Sequence, residues 1–315
     1  MDPARGVSDR ATPAVRRGVL RAGAWVLVAL GTAHLAGGLA DLWAPVIASP
    51  IDLDLRSAMA GTPYVLAALV GSRNSIFEAS VGWNASHSLG IAHVGAVVLL
   101  LSRSERGRGA LSLAVPFAMI FCALYVVLAS VFWFWGPLLG FAAAFCLLGA
   151  GWLRTPRATG APREAGPSTG WLLAGAAPMG LAGLAHGLAT FADLFGRGFF
   201  HPVDADVRRR MSGAAAALPA TLGATRDVWT AYLGFNFSHG AGVFAFALLL
   251  VLLARRDPQV FVAVPGLRWV PCIFAACWLI VSASFFFWLP TAACVISTTC
   301  FGFFAMARAD GPARS

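Results

Sequence analysis

Eight apolar runs, each close to the length of a membrane span, decide what this chain can become. They lie at about residues 19–40, 77–102, 113–133, 136–153, 171–192, 228–254, 268–288 and 290–307. A helix needs ~20 mainly apolar residues to cross the hydrocarbon core of a bilayer. Only 12% of the residues are charged and 58% are hydrophobic, whereas a soluble domain is about 25% charged. One soluble core cannot hide that much apolar surface, and lipid is its natural solvent. The expected fold is therefore all-α and polytopic, with about eight transmembrane helices.

All 23 basic residues are Arg and Lys is absent. With the excess of Ala and Gly, that usage points to a GC-rich bacterial genome. The formal charge of +9 does not indicate nucleic acid, because the Arg residues sit between apolar runs and form no continuous basic face. Topology accounts for them better. With the N-terminus placed inside, 16 Arg fall on the inner side and seven on the outer, as the positive-inside rule requires. The outer seven are Arg56, Arg73, Arg197, Arg208, Arg209, Arg210 and Arg226. An even number of spans puts both termini in the cytoplasm of a bacterium with the chain in its inner membrane.

The Arg-rich start resembles the n-region of a signal peptide. Its apolar run of ~20 residues exceeds an h-region of 7–15, so a retained first helix is expected. The six cysteines, Cys122, Cys146, Cys272, Cys277, Cys294 and Cys300, all fall in apolar runs and are expected to be buried and inert. The organisation expected is a tail at 1–18, a four-helix unit at 19–153, a Pro/Gly/Arg linker at 154–170, a second unit at 171–308 and a tail at 309–315.

The two units are related. At a constant shift of 152, residues 31–90 align with 183–242 without a gap, with 21 identities in 60 positions. The pairs include His34/His186, Asp41/Asp193, Pro50/Pro202, Asp52/Asp204, Asp54/Asp206, Arg56/Arg208, Met59/Met211, Gly82/Gly234, Asn84/Asn236, Ser86/Ser238, His87/His239 and Gly90/Gly242. After a slip of three residues, Pro116/Pro271, Cys122/Cys277, Phe132/Phe287 and Trp133/Trp288 also match. Shared His, Asp, Asn and Arg at fixed spacing indicate duplication. Four spans per unit give both units the same orientation.

Within each unit the polar matches gather on the outer half of the first two helices. His34 and Asp41 share a face two turns apart, and Asn84 and His87 are neighbours at i, i+3. At 1.5 Å per residue, His34 lies ~10 Å and His87 ~15 Å below the outer helix ends. The imidazoles can meet if the two helices are adjacent. The same holds for His186, Asp193, Asn236 and His239. Three readings fit. The residues are polar glue between helices; they line a site for a small molecule or proton; or each His pair holds haem or another metal. The corresponding functions are a non-enzymatic binding or transport protein, a haem- or quinone-linked redox protein, or a structural subunit of a complex. A homo-oligomer or membrane complex is compatible with each.

The outer loops carry P-x-D-x-D-x-R-x-x-M-x-G, from Pro50 to Gly61 and from Pro202 to Gly213. A surface helix capped by Asp is expected there, with Arg56 or Arg208 paired to the carboxylates. Two N-x-S matches, at Asn84 and Asn236, lie within spans and are dismissed as glycosylation sites. Trp43, Trp135, Trp152, Trp171 and Trp269 read as interfacial anchors. His93 and His201 have no counterpart in the other unit. There is no Walker loop, nucleophile elbow, HExxH or dinucleotide fingerprint.

The run Trp229-x-x-x-x-Gly234-Phe235-Asn236-x-Ser238-His239-x-x-Gly242 resembles the signature of a small family of bacterial four-helix membrane proteins. The first unit matches with Gly82, Trp83, Asn84, Ser86, His87, Ser88 and Gly90, departing at Phe77 and Trp83; the second departs at Gly240. The resemblance covers the first two helices and outer loop of each unit. It implies a fold and no activity, with this chain as a fused tandem version mimicking a homodimer.

Overall fold

The computed structural model describes residues 13–153, 169–196, 198–286 and 288–307. Of the tails and linker expected at 1–18, 154–170 and 309–315, residues 1–12, 154–168 and 309–315 lie outside the described residues. The first half runs α1 (Pro13–Ala40), α2 (Leu53–Gly61), α3 (Val65–Leu69), α4 (Ile76–Arg103), α5 (Arg108–Phe132) and α6 (Trp135–Leu153). The second runs α7 (Gly170–Asp193), α8 (Ala205–Gly213), α9 (Ala217–Thr221), α10 (Val228–Arg256), α11 (Val260–Ala263), a 3-10 turn at Leu267–Trp269, α12 (Val270–Phe285) and α13 (Trp288–Met306). Eight of these helical stretches are long and apolar enough to cross a bilayer. The molecule is an all-α polytopic membrane protein.

Helix starts follow local chemistry. Ser75 and Glu78 form a reciprocal capping box at the head of α4, and Asp227 caps α10 by accepting from the Thr230 amide at 2.8 Å. Each satisfies amides that have no partner within the helix. As expected, Asp52 and Asp204 cap α2 and α8. The slip of three residues falls where α11 and the 3-10 turn lengthen the connection from α10 to α12; in the first half residues 104–107 join α4 directly to α5.

The centre is α4 against α10. Of their apolar windows 78% and 61% is buried, against 28% for α1, α6, α7 and α13, which form the rim. Between α4 and α10 the contact is backbone to backbone: a Cβ added at Gly90 would stand 3.1 Å from the Gly242 Cα. Around this pair the halves interlock. α12 packs on α4 and α5 packs on α10. Gly82 and Gly234 make room for those crossings, since a Cβ there would stand 2.7 Å from Phe285 Cβ and 2.5 Å from Phe132 Cβ respectively.

The long loops interlock too. Leu218 N donates to Ile47 O at 3.1 Å and Ala217 N to Ser49 O at 3.2 Å, while Leu66 N donates to Phe199 O at 2.7 Å and Val65 N to His201 O at 3.0 Å. These four bonds are two pairs of equivalents, 152 residues apart. Gly71 and Gly223, identical in both halves, take φ of +70° just past α3 and α9, a conformation that favours glycine.

The rim meets lipid with bare hydrocarbon, including the exposed Ile120, Leu139, Leu181, Leu188 and Ile280. Trp43, Trp135, Trp171 and Trp269 are exposed as well. Two expectations are corrected. Arg56 does not pair with Asp52 or Asp54; its Nη2 donates to the carbonyls of Asp41 and Leu42 at 2.8 and 2.7 Å, and its guanidinium lies over Phe77. Carbonyls left free at the end of α1 attract the cation more closely than the carboxylates, which serve a helix start. Nor are all thiols buried: Cys122, Cys294 and Cys300 are, but Cys146 is exposed on the outer face of α6.

Candidate functional site

α1 lies along α4 and α7 along α10, so the paired imidazoles meet. The ring centres of His34 and His87 are 4.7 Å apart, and those of His186 and His239 4.4 Å. His34 Nε2 is 2.6 Å from Asn84 Oδ1, and the Asn84 amide nitrogen reaches Asp41 Oδ2 at 3.4 Å. That carboxylate orients the amide with its oxygen towards His34, so His34 Nε2 carries the proton and donates. His186 Nε2 meets Asn236 Oδ1 likewise, but among the described residues no carboxylate reaches that amide, and Asn236 Nδ2 is buried without a partner.

Asp41 faces away from the rings. Its Oδ1 accepts from the amides of Val46 and Ile47 at 2.7 and 2.9 Å, and its Oδ2 from Ala48 at 2.9 Å. It ties the loop to the end of α1. Asp193 holds the second loop through the Phe200 amide, at 3.2 Å from Oδ2, and the His201 ring at 3.2 Å.

The second imidazole of each half reaches into the other half. His87 Nδ1 lies 3.0 Å from Ser238 Oγ, and His239 Nδ1 lies 2.5 Å from Ser86 Oγ. Tyr125 also crosses, donating to the Ser238 carbonyl at 3.0 Å. Sequence reading placed Asn84 and His87 on one face and counted Ser86 and Ser238 among residues able to hydrogen-bond between helices, without naming their partners. Their identity in both halves was the available signal, and the partner depends on how α4 meets α10.

The halves differ in what surrounds the His pair. Phe235 packs on His34 and His87, with centroids at 5.5 and 5.2 Å. Its counterpart Trp83 packs on His186 and His239, at 5.6 and 6.4 Å, and Phe200 adds a ring 4.3 Å from His186. Where the second half has Trp83 and Phe200, the first has the smaller Phe235 and Ala48. A pocket partly open to the outside remains in the first half, with about 470 Å³ of empty space when the open solvent at its mouth is included. Its wall includes His34, His87, Trp133, Phe141, Pro219 and Phe235, so both halves build it. Asp41 and Asn84 are not on this wall.

Two residues of the wall carry a buried side-chain nitrogen without a hydrogen-bond partner among the described residues. His87 is 2% exposed, and its Nε2 is buried without a hydrogen-bond partner. Trp133 Nε1 is likewise unpartnered, but it lies against Gly234, where a Cβ would stand 2.6 Å away.

The His pairs do not fit haem. Two axial imidazoles on one iron, with metal–nitrogen bonds of about 2 Å, would hold their ring centres about 6 Å apart on opposite faces. The observed rings touch at an angle, and His34 Nε2–H is already donated. Among the described residues no group of three or more His, Cys, Asp or Glu is placed to hold a metal ion.

These helices and this pocket define the class: an all-α, multi-pass membrane protein with a partly enclosed apolar pocket. No family model, curated protein or solved structure matches the chain.

Proposed function

We propose that this protein binds a small molecule in the pocket between His34 and His87, without catalysing a reaction on it. The observation that carries the reading is His87 Nε2, a buried polar atom without a partner among the described residues, on a side chain that lines the pocket. Buried polar groups are nearly always satisfied, and an exception calls for an explanation. The other shared polar groups support structural roles: Asp41, Ser86 and Ser238 hold loops and helices together.

In this reading the chain is a tandem duplication of a four-helix unit related to the family it resembles, and only the first His pair keeps its pocket. The Arg distribution supports a bacterial inner membrane with both termini cytoplasmic and the pocket towards the outer face. Reporter fusions at the C-terminus and at Arg73 test that orientation.

Binding is tested by thermal unfolding of detergent-purified protein against a panel of small lipophilic molecules. A ligand that binds only the folded state stabilises it by RT ln(1 + [L]/Kd). A ligand should raise Tm in the wild type and not in Phe235→Trp, which fills the pocket as Trp83 fills its counterpart. Equal shifts in both proteins would sink the proposal.

A further inference from the structure

Hydrogen-bond accounting around His87 limits what can occupy the pocket. Ser238 Oγ lies 3.1 Å from the Phe235 carbonyl and 3.0 Å from His87 Nδ1. A hydroxyl has one hydrogen. The carbonyl can only accept, so the hydrogen goes there and Ser238 Oγ receives Nδ1–H. The second half repeats the arrangement: Ser86 Oγ lies 3.2 Å from the Trp83 carbonyl and receives His239 Nδ1–H. A neutral imidazole has only one N–H. His87 Nε2 is therefore a bare lone pair. His34 cannot serve it, because its Nε2–H is given to Asn84 Oδ1.

Apart from His34 and the Trp133 indole, whose Nε1 lies against Gly234, the remaining wall is hydrocarbon, proline and aromatic ring. Among the described residues no Arg, Asp or Glu lines it. A cationic amine would find no countercharge there, and an unpaired buried charge is costly. A carboxylate or amide would bring acceptors the wall cannot satisfy. An ether or ketone has no hydrogen for Nε2. We infer that the occupant is a neutral, largely apolar alcohol or phenol whose hydroxyl donates to His87 Nε2. This rests on the pocket being a ligand site, as proposed above.

The test uses the full chain in detergent and three probes of one shape class: phenol, anisole and toluene, titrated by calorimetry. Phenol donates a hydrogen bond, anisole only accepts, and toluene does neither. Phenol is expected to bind at least tenfold tighter than the other two. In His87→Phe, with folding checked by circular dichroism and gel filtration, that preference should fall to within about twofold. Should His87→Phe not fold, Phe235→Trp takes its place and should abolish phenol binding. Equal binding of all three probes, blocked by Phe235→Trp, overturns the hydroxyl inference and leaves the pocket reading standing. A phenol preference that persists in folded His87→Phe also overturns the inference. No binding by any probe, or binding untouched by Phe235→Trp, overturns both.

Discussion

Asp41 and Asp193 occupy equivalent positions and are equally buried, at 1% and 2% exposed, yet removing them should cost different amounts. Asp41→Ala leaves the Val46, Ile47 and Ala48 amides without the acceptor they now share. An unsatisfied buried amide costs about 1–3 kcal/mol. Local rearrangement recovers part of that near the membrane edge, so about 4 kcal/mol is expected for the three. Asp41→Asn keeps the oxygen that serves Val46 and Ile47 and turns an NH₂ towards the Ala48 amide, for a cost of about 1.5 kcal/mol on the same basis. Asp193 receives, among the described residues, one backbone amide and the His201 ring, so Asp193→Ala should cost about 2 kcal/mol. Reversible unfolding in mixed micelles, followed by tryptophan fluorescence, measures all three. An Asp193→Ala loss as large as that of Asp41→Ala, or an Asp41→Ala loss below about 1 kcal/mol, would refute the role assigned to the carboxylate.

Other outcomes follow from the packing. Gly82→Ala and Gly234→Ala drive a methyl into Phe285 and Phe132 and should each cost about 1–3 kcal/mol as overpacking, whereas Gly61→Ala, with open space around its Cβ position, should stay within about 0.5 kcal/mol in the same assay. Ser238→Ala removes the cross-half partner of His87; a double-mutant cycle with His87→Phe should give a coupling of about 0.6 kcal/mol, the average for side-chain hydrogen bonds inside membranes, and not above about 1.7 kcal/mol. Coexpressed as separate chains, residues 1–160 and 161–315 should copurify through the interlocked loops and the α4–α10 contact, and separate recovery of the two would contradict that packing. Glu105→Gln breaks an exposed cluster with Arg17 and Arg108 and should leave the unfolding midpoint in the same assay unchanged within error, because solvent screens such pairs.

Much of this molecule is legible in the sequence because it depends on neighbours along the chain. Hydropathy places the spans to within a few residues, apart from α1 and α5, which start six and five residues before their apolar runs. Asp52, Asp204, Ser75 and Asp227 sit where a helix start needs an acceptor. The meeting of His34 with His87 follows from depth once α1 and α4 are adjacent. What depends on the encounter of the two halves is harder to read. Ser86 reads only as a general interhelical hydrogen-bonder until α10 brings His239 to it. Arg56 reads as a partner for nearby carboxylates because sequence shows charges and hides the free carbonyls at the end of α1. The pocket was announced only by differences between the halves, at Ala48 against Phe200 and Phe235 against Trp83, and a comparison that counts identities passes over them.

The account turns on the state of His87, which the nitrogen spectrum of histidine-labelled protein reports directly, with single His→Gln variants for assignment. The prediction is four neutral core rings in two tautomers: His34 and His186 protonated at Nε2, and His87 and His239 at Nδ1. Adding phenol should move the His87 Nε2 signal towards that of a hydrogen-bonded acceptor and leave His239 unchanged. A His87 already protonated at Nε2, or a spectrum indifferent to phenol at saturating concentration, would contradict the claim that this ring presents an open acceptor to the pocket.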